Sequence, residues 1–79
     1  MHYKTIQEKV YGQPFEPIRL KLTNGSTYEV RHPEMMIVTR RSVAVAVYPD
    51  GSDEAEYATF IATEHIVEIE PLSAGKQQT

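Results

Sequence analysis

The three histidines, His2, His32 and His65, are the side chains of this 79-residue chain best suited to acid–base chemistry or metal binding. A protein metal site needs a second strong ligand at a spacing that brings both donors together, and none of the three histidines has one. His65 and Glu68 would point to opposite faces of a strand, because they are three residues apart. We interpret the histidines as polar loop residues and expect no metal site.

Four carboxylates lie close together in the segment PDGSDEAE, residues 49–56. Carboxylates are calcium ligands, but a calcium loop also needs alternating oxygen ligands and a following glutamate at fixed spacing. The segment lacks that spacing, and its proline and glycine are typical of an exposed connection. We therefore predict a solvated acidic loop.

The sequence contains no motif for nucleophilic catalysis and no motif for a glycine-rich phosphate-binding loop. There is no cysteine, no readable Ser-His-Asp arrangement, and no glycine-rich phosphate loop among four scattered glycines. A chain this short also has few residues with which to enclose a substrate pocket. We expect a non-catalytic protein without catalytic residues or cofactors.

One group of basic side chains is suited to binding a partner. Two adjacent arginines can form forked hydrogen bonds to phosphate or carboxylate. Only Tyr28 and Tyr48 are candidates for stacking on bases, and strand periodicity assigns Tyr28 to the core. The candidate partner-binding residues are Arg31, His32, Arg40, Arg41, Arg19 and Lys21.

Charge is unevenly distributed along the chain, whose net charge is −3. Residues 1–41 contain seven Lys/Arg and four Asp/Glu, whereas residues 42–79 contain one and seven. Such asymmetry can guide protein partners or self-association, but it is not the strong basic footprint of most nucleic-acid binders. We expect a binding or scaffolding module that acts by protein interaction or self-association. The alternative is an Sm-like RNA-binding protein that uses Arg31, Arg40 and Arg41, with weak nucleic-acid binding.

Hydropathy and cysteine content restrict where the protein works. The N-terminal residues are polar and lack a hydrophobic signal region, and no apolar stretch approaches the roughly 18 residues that a membrane span needs. With no cysteine, disulfides cannot stabilise the chain. We expect a cytoplasmic protein with no membrane contact.

The segment TIQEKVYG, residues 5–12, predicts a short helix. Thr5 is the expected N-cap, Glu8 completes a capping box, and Gly12 is suited to the helix end. Ile6 and Val10 share one face, which must dock on the rest of the protein because so short a helix is marginal alone. Residues 13–17 then form an extended connector, in which Phe15 is expected to reach the core.

The segment LKLTNGSTYEV, residues 20–30, predicts a β-hairpin with a three-residue loop. A two-residue Asn-Gly turn would place Leu20 opposite Glu29 and bring charge to the core face. A loop of residues 23–25 instead pairs Leu20 with Tyr28, while Arg19 faces Glu29 on the other side. This register requires Gly25 in the left-handed region, in a type I turn closed by a bulge.

Residues 31–36 are expected to form an irregular bend, and residues 37–48 a second hairpin with Arg40 and Arg41 near its turn. Its second strand is apolar on both faces and is therefore expected to be central. Its alanines, Ala44 and Ala46, would let the helix or another subunit approach closely. Two more strands follow, the last with Val67 and Ile69 inward and Glu68 and Glu70 outward.

The order of elements predicts a mainly β fold: a short N-terminal helix followed by a small, strongly bent antiparallel barrel of SH3-like or Sm-like type. Residues 1–72 are expected to form a single domain, and residues 73–79 a disordered tail. A chain of this size gains stability from association, and open strand edges favour it. We therefore expect contact through a strand edge or the alanine face.

Residues 4–72 resemble small bacterial proteins of unknown function through the motifs PFEP, an Asn-Gly turn, TYEVRHPE and HIVEIEPL. In architecture the chain also resembles the Sm-like barrels, including the bacterial Sm-like RNA chaperone, in which a short helix precedes five bent strands. IRLKLTNG (18–25) is similar to their first strand and turn, and IVEIEP (66–71) to their last strand. Val30 stands where that family has a bend glycine, and Glu64-His65 where the chaperone has Lys-His, so RNA binding does not follow from the resemblance.

Overall fold

The computed structural model describes residues 1–72 of the chain and shows a mainly β structure with one short helix. The helix α1 is Tyr3–Tyr11. Two 3₁₀ turns, Pro33–Met35 and Thr63–His65, precede strands β3 and β6. The strands are Ile18–Leu22 (β1), Thr27–Val30 (β2), Met36–Val38 (β3), Ser42–Val47 (β4), Tyr57–Ala62 (β5) and Ile66–Pro71 (β6). The predicted tail lies outside the described residues.

The six strands of residues 1–72 form two antiparallel three-stranded sheets, ordered β2–β1–β6 and β3–β4–β5. No closed barrel joins them within this part of the chain. The second sheet confirms the central position of β4, which has Val43 and Val45 buried on one face. Short connections lead from β2 to β3 and from β5 to β6, so the chain passes twice between the sheets.

The β1–β2 hairpin has the predicted three-residue loop and register. Leu20 pairs with Tyr28 and Arg19 with Glu29. Gly25 has a φ of 87°, and its backbone N–H donates to the Leu22 carbonyl at 3.0 Å. Alternation of apolar and polar residues therefore determined the register correctly, because a shift by one residue would have exposed the apolar face of a strand.

The start of α1 differs from the prediction. His2, not Thr5, is the N-cap: its Nδ1 accepts a hydrogen bond from the Lys4 backbone N–H at 3.1 Å. The imidazole provides the acceptor that a capping side chain must supply, and the earlier start lets Tyr3 pack against the core. The predicted end is confirmed, since the Gly12 N–H donates to the Glu8 carbonyl at 3.1 Å.

Strand β6 corrects the predicted orientation of Val67. The pairing with β1 shifts between Lys21 and Leu22, so that Leu22 pairs with Ile66 and Lys21 pairs with Glu68. Val67 is the extra residue of this bulge and is 57% exposed, while Ile66 is buried in its place. Glu68 and Glu70 lie on the outer face of this sheet as predicted, beside Lys21 and Arg19.

One hydrophobic core lies between the two sheets and the helix. The helix contributes Ile6 and Val10, which are both fully buried, and Phe15 packs partly buried against the same cluster. The Tyr11 hydroxyl accepts a hydrogen bond from the Val38 N–H at 3.1 Å, which joins the helix to β3. The strand residues of the core are Ile18, Leu20, Val30, Met36, Val38, Val43, Val45, Ile61 and Ile66.

The 3₁₀ turn Thr63–His65 connects the two sheets by hydrogen bonds. The Thr63 N–H donates to the Arg41 carbonyl at 2.9 Å, and the Thr23 N–H donates to the His65 carbonyl at 2.9 Å. The Met1 amino group donates to the carbonyls of Thr63 and Ile66 at 2.7 and 3.0 Å. These bonds fix the corner between β5 and β6, and with it the position of the β5 edge.

Candidate functional site

The outer face of the β3–β4–β5 sheet is a continuous apolar surface. Ile37, Ala44 and Phe60 are directly paired across the three strands, and the same register pairs Ala46 with Ala58. Successive residues of a strand alternate between faces, so these side chains point away from the core that holds Val43, Val45 and Ile61. We define the outer face as Ile37, Ala44, Ala46, Ala58, Phe60 and Ala62.

The two large side chains of the outer face are strongly exposed. Phe60 is 77% exposed and Ile37 is 62% exposed. The alanines between them carry only a methyl group, so they leave a shallow surface flanked by a phenyl ring and an aliphatic side chain. The helix does not cover this face, which corrects one of the two expectations for the alanines. Apolar patches of this kind typically mark interaction sites.

Strand β5 is also an edge of its sheet. The hydrogen bond from the Thr63 N–H to the Arg41 carbonyl continues the β4–β5 ladder, in which alternate residues of β5 face β4. By this alternation Thr59 and Ile61 direct their backbone groups to β4, whereas Ala58, Phe60 and Ala62 direct theirs outward. Within residues 1–72, this exposed apolar strand therefore also carries backbone groups that pair with no other strand.

The two ends of the same sheet carry opposite charge. Arg40 and Arg41 lie in the β3–β4 turn, beyond the Ser42–Ala62 pair. The β4–β5 loop lies at the other end, beyond the Val47–Tyr57 pair, and contains four exposed acids. None of these six side chains forms an ion pair within residues 1–72. The acids are Asp50, Asp53, Glu54 and Glu56.

The outer face of the other sheet is an ion-pair network. The Arg19 guanidinium lies 3.2 Å from Glu29 and 3.1 Å from Glu70. Lys21 lies 3.7 Å from both Glu68 and Glu70. Arg31 pairs with Glu29 at 2.6 Å. Three cations therefore face three carboxylates, and the network is electrically balanced.

The network shifts the ionisation of its members. The hydrogen bond from Arg19, with a second from Arg31, lowers the pKa of the Glu29 carboxyl, although partial burial opposes the shift. Hydrogen bonds to Glu29 and Glu70 raise the pKa of the Arg19 guanidinium. Both pKa shifts favour the charged forms. Arg19 and Glu29 therefore remain ionised and are paired with each other and with neighbouring members of the network.

The candidate partner-binding residues do not form one cluster. Arg19, Lys21 and Arg31 belong to the network on the β2–β1–β6 sheet, whereas Arg40 and Arg41 lie in the turn of the β3–β4–β5 sheet. His32 is exposed in the bend after β2. The pairing of Arg19 with Glu29 was predicted, but the contribution of Glu68 and Glu70 was not, because it depends on the pairing of β1 with the distant strand β6.

An open cleft of about 380 Å³ lies between the β1–β2 hairpin and strand β5, with Tyr28, Phe60 and His65 among its lining residues. The His65 Nδ1 is 3.3 Å from the Thr23 hydroxyl, with no carboxylate bonded to the imidazole in the described part of the chain. This pair lacks the orienting acid of a catalytic relay. Within residues 1–72, no three His, Cys, Asp or Glu side chains are placed so that they could hold one metal ion together.

The sequence matches no protein-family model and no curated protein, and the structure matches no solved structure. The resemblance to small bacterial proteins and to the Sm-like barrels therefore stays a prediction. Within residues 1–72, no helix is long and apolar enough to cross a membrane.

Proposed function

We propose that this protein is a non-catalytic interaction module that binds another protein chain through the outer face of its β3–β4–β5 sheet. The observation that carries the proposal is the row formed by Ile37, Ala44 and Phe60, whose two large side chains are 62% and 77% exposed. Burying such side chains against a partner gains roughly 25 cal/mol for each Å² of apolar surface removed from water.

The shape of the outer face favours a protein partner over a small molecule. Small-molecule sites are concave and enclose most of their ligand, whereas this surface is a shallow sheet face with alanines at its centre. A second sheet or a helix can approach alanines closely and fit its side chains between Ile37 and Phe60. Aromatic residues that are exposed in the free protein, as Phe60 is, are typically enriched in the cores of interfaces.

The finer fold assignment belongs to the same proposal. The β2–β1–β6 and β3–β4–β5 sheets share two chain corners, and a 3₁₀ turn precedes the last strand. This connectivity supports an SH3-like or Sm-like arrangement of five bent strands, with β2 and β3 as the two halves of one strand. Fold alone does not assign a function or a partner, so the proposal depends on the outer face.

Affinity capture with matched variants tests the proposal. The protein is used as bait in extract of its own cells, together with the double variant Ile37→Ser/Phe60→Ser and the control Val67→Ser. Val67 is an exposed apolar residue of the other sheet, so its loss removes similar surface away from the outer face. The proposal predicts a partner that wild type and Val67→Ser retain and the double variant loses. Retention by all three baits would contradict it.

RNA binding remains the second candidate. Arg40 and Arg41 are exposed and have no ion pair within residues 1–72, which supports phosphate contact at the β3–β4 turn. Arg31, the third residue of that hypothesis, is bonded to Glu29. Two available arginines give a small phosphate-binding surface, so this function has less support than protein binding.

A further inference from the structure

We infer that one partner of the outer face is a second copy of this chain. The two copies dock face to face, with the β3–β4 turn of each against the β4–β5 loop of the other. This inference rests on the proposed function, since it uses the same surface. It adds the identity of the occupant and its orientation. Both are argued from the charges at the two ends of the β3–β4–β5 sheet.

Within residues 1–72 no element covers the outer face, on which Phe60 is 77% exposed and Ile37 is 62% exposed. The helix α1 is already committed to the core through Ile6 and Val10. Residues 1–72 thus leave the outer face open to a second copy.

The charges at the two ends of the sheet cannot neutralise each other within one molecule. The six-residue strands β4 and β5 separate the arginine turn from the acidic loop by about 17 Å. That distance is roughly twice the Debye length of about 8 Å at physiological ionic strength. Each end therefore keeps an exposed charge that has no ion pair within residues 1–72 and that a neighbouring molecule can complement.

A second copy offers that complement in one orientation only. Two outer faces can meet around a two-fold axis that is parallel to the strands. Arg40 and Arg41 of one copy then lie against Arg40 and Arg41 of the other, and the two acidic loops lie against each other. If the axis runs across the strands, Arg40 and Arg41 of each copy lie against the acidic loop of the other. Like charges in contact weaken an interface and opposite charges favour it, so the second orientation is selected.

This orientation also produces a closed assembly. A two-fold interface uses the same surface on both molecules, so both apolar faces are covered and no free copy of the surface is left. Packed sheets lie about 10 Å apart, so Ile37 of one copy can meet Ile37 of the other, and Phe60 can meet Phe60, on either side of the alanines. The result is a dimer with an apolar centre and an ion-paired rim at each end.

Sedimentation velocity over a concentration series tests the inference with charge-reversal variants. Arg40→Glu/Arg41→Glu makes both ends acidic, and Asp53→Lys/Glu54→Lys removes the net charge of the acidic loop. Lys4→Glu/Lys9→Glu is the matched control for total charge, because these exposed helix lysines lie outside the sheet. All the changes are on exposed side chains, so folding should be retained, which circular dichroism verifies.

The inference predicts that wild type and the lysine control dimerise at low salt and that high salt weakens the dimer. Each variant alone should dimerise about tenfold more weakly, and mixing the two should give a heterodimer that is tighter than either homodimer, because one of its two rims again sets arginines against an intact acidic loop. A wild-type dimer that high salt strengthens would overturn the orientation that sets the turn of each copy against the loop of the other. A strict monomer at about millimolar concentration would overturn self-association.

The two proposals fail in different ways. If wild type is a monomer but Ile37→Ser/Phe60→Ser still loses a captured protein that Val67→Ser retains, the second copy is wrong and the interaction module stands. If wild type dimerises and Ile37→Ser/Phe60→Ser dimerises equally well, the contact lies elsewhere. That result would overturn the assignment of the outer face to the dimer.

Discussion

Phe60 lies directly opposite Ala44 in the antiparallel β4–β5 pair, and both side chains are on the face of the sheet turned away from the core. The alanine methyl group is too small to shield the phenyl ring, which stays 77% exposed. On the buried face, the adjacent pair of Val43 with Ile61 closes against the core. One sheet thus has one face for folding and another available for binding.

This division predicts that core substitutions lower stability much more than outer-face substitutions. Leu20→Ala should lower the free energy of unfolding by about 2–5 kcal/mol, because Leu20 is fully buried and its loss leaves a cavity. Phe60→Ser should change it by less than about 0.5 kcal/mol, as surface substitutions usually do. Urea denaturation followed by circular dichroism measures both. Equal destabilisation by the two variants would show that Phe60 is part of the core.

Gly25 should be sensitive to substitution although its surroundings are open. An added Cβ would contact nothing within 4 Å, but the φ of 87° is strained for any residue with a side chain. Gly25→Ala should therefore lower the free energy of unfolding by about 1 kcal/mol. Thermal denaturation compares this variant with Ser26→Ala at the neighbouring exposed position. A neutral Gly25→Ala would mean that the loop can adopt another turn.

The ion-pair network should make part of the stability depend on pH. Glu29 has a lowered pKa in the folded protein, so its contribution is complete above the unfolded value of about 4.3 and is lost as the pH falls through the lower folded value. The difference in unfolding free energy between wild type and Glu29→Gln should therefore be largest near neutral pH and shrink in acid.

Denaturant titrations at a series of pH values measure this difference. Glu34→Gln is the control, because Glu34 is an exposed glutamate with no ion pair among residues 1–72. The control should show no comparable change with pH. A Glu29→Gln difference that grows on acidification would contradict the assigned direction of the pKa shift.

RNA should bind weakly and with a shallow dependence on salt. Two available arginines correspond to a slope of about −1.4 for the logarithm of the binding constant against the logarithm of salt concentration on single strands. Fluorescence titration of short U-rich and A-rich RNAs measures it. Arg40→Ala/Arg41→Ala should remove most of the binding and Lys4→Ala/Lys9→Ala should not. Sub-micromolar, sequence-dependent binding lost in the arginine variant would favour the RNA-binding function instead.

Local sequence patterns were sufficient for the elements that depend on neighbouring residues. Period-two alternation and the Asn-Gly turn determined the register of β1 with β2, and a strand that is apolar on both faces was correctly expected to be central. The helix start was wrong because His2 is an unusual N-cap, and the direction of Val67 was wrong because a bulge depends on the partner strand.

The sequence identified only part of the outer face that we propose as the binding surface. Ala44 and Ala46 were expected to form an apolar face that the helix or another subunit approaches, but Ile37 and Phe60 were not placed on that face. The loop between β4 and β5 is long, so it does not determine which β5 residue lies opposite Ala44. The balance of the cationic residues by Glu68 and Glu70 likewise follows from the pairing of β1 with β6.

The most direct test of the outer face as a binding surface is site-specific photo-crosslinking in living cells. A photoreactive phenylalanine analogue replaces Phe60 with little change of shape, and the same analogue at position 67 is the control on the other sheet. Phe60 and Val67 are both exposed, so collision with unrelated proteins should label both sites equally. We predict a discrete crosslinked product from position 60 and none from position 67. The absence of a product at position 60, or the same products from both positions, would contradict the account.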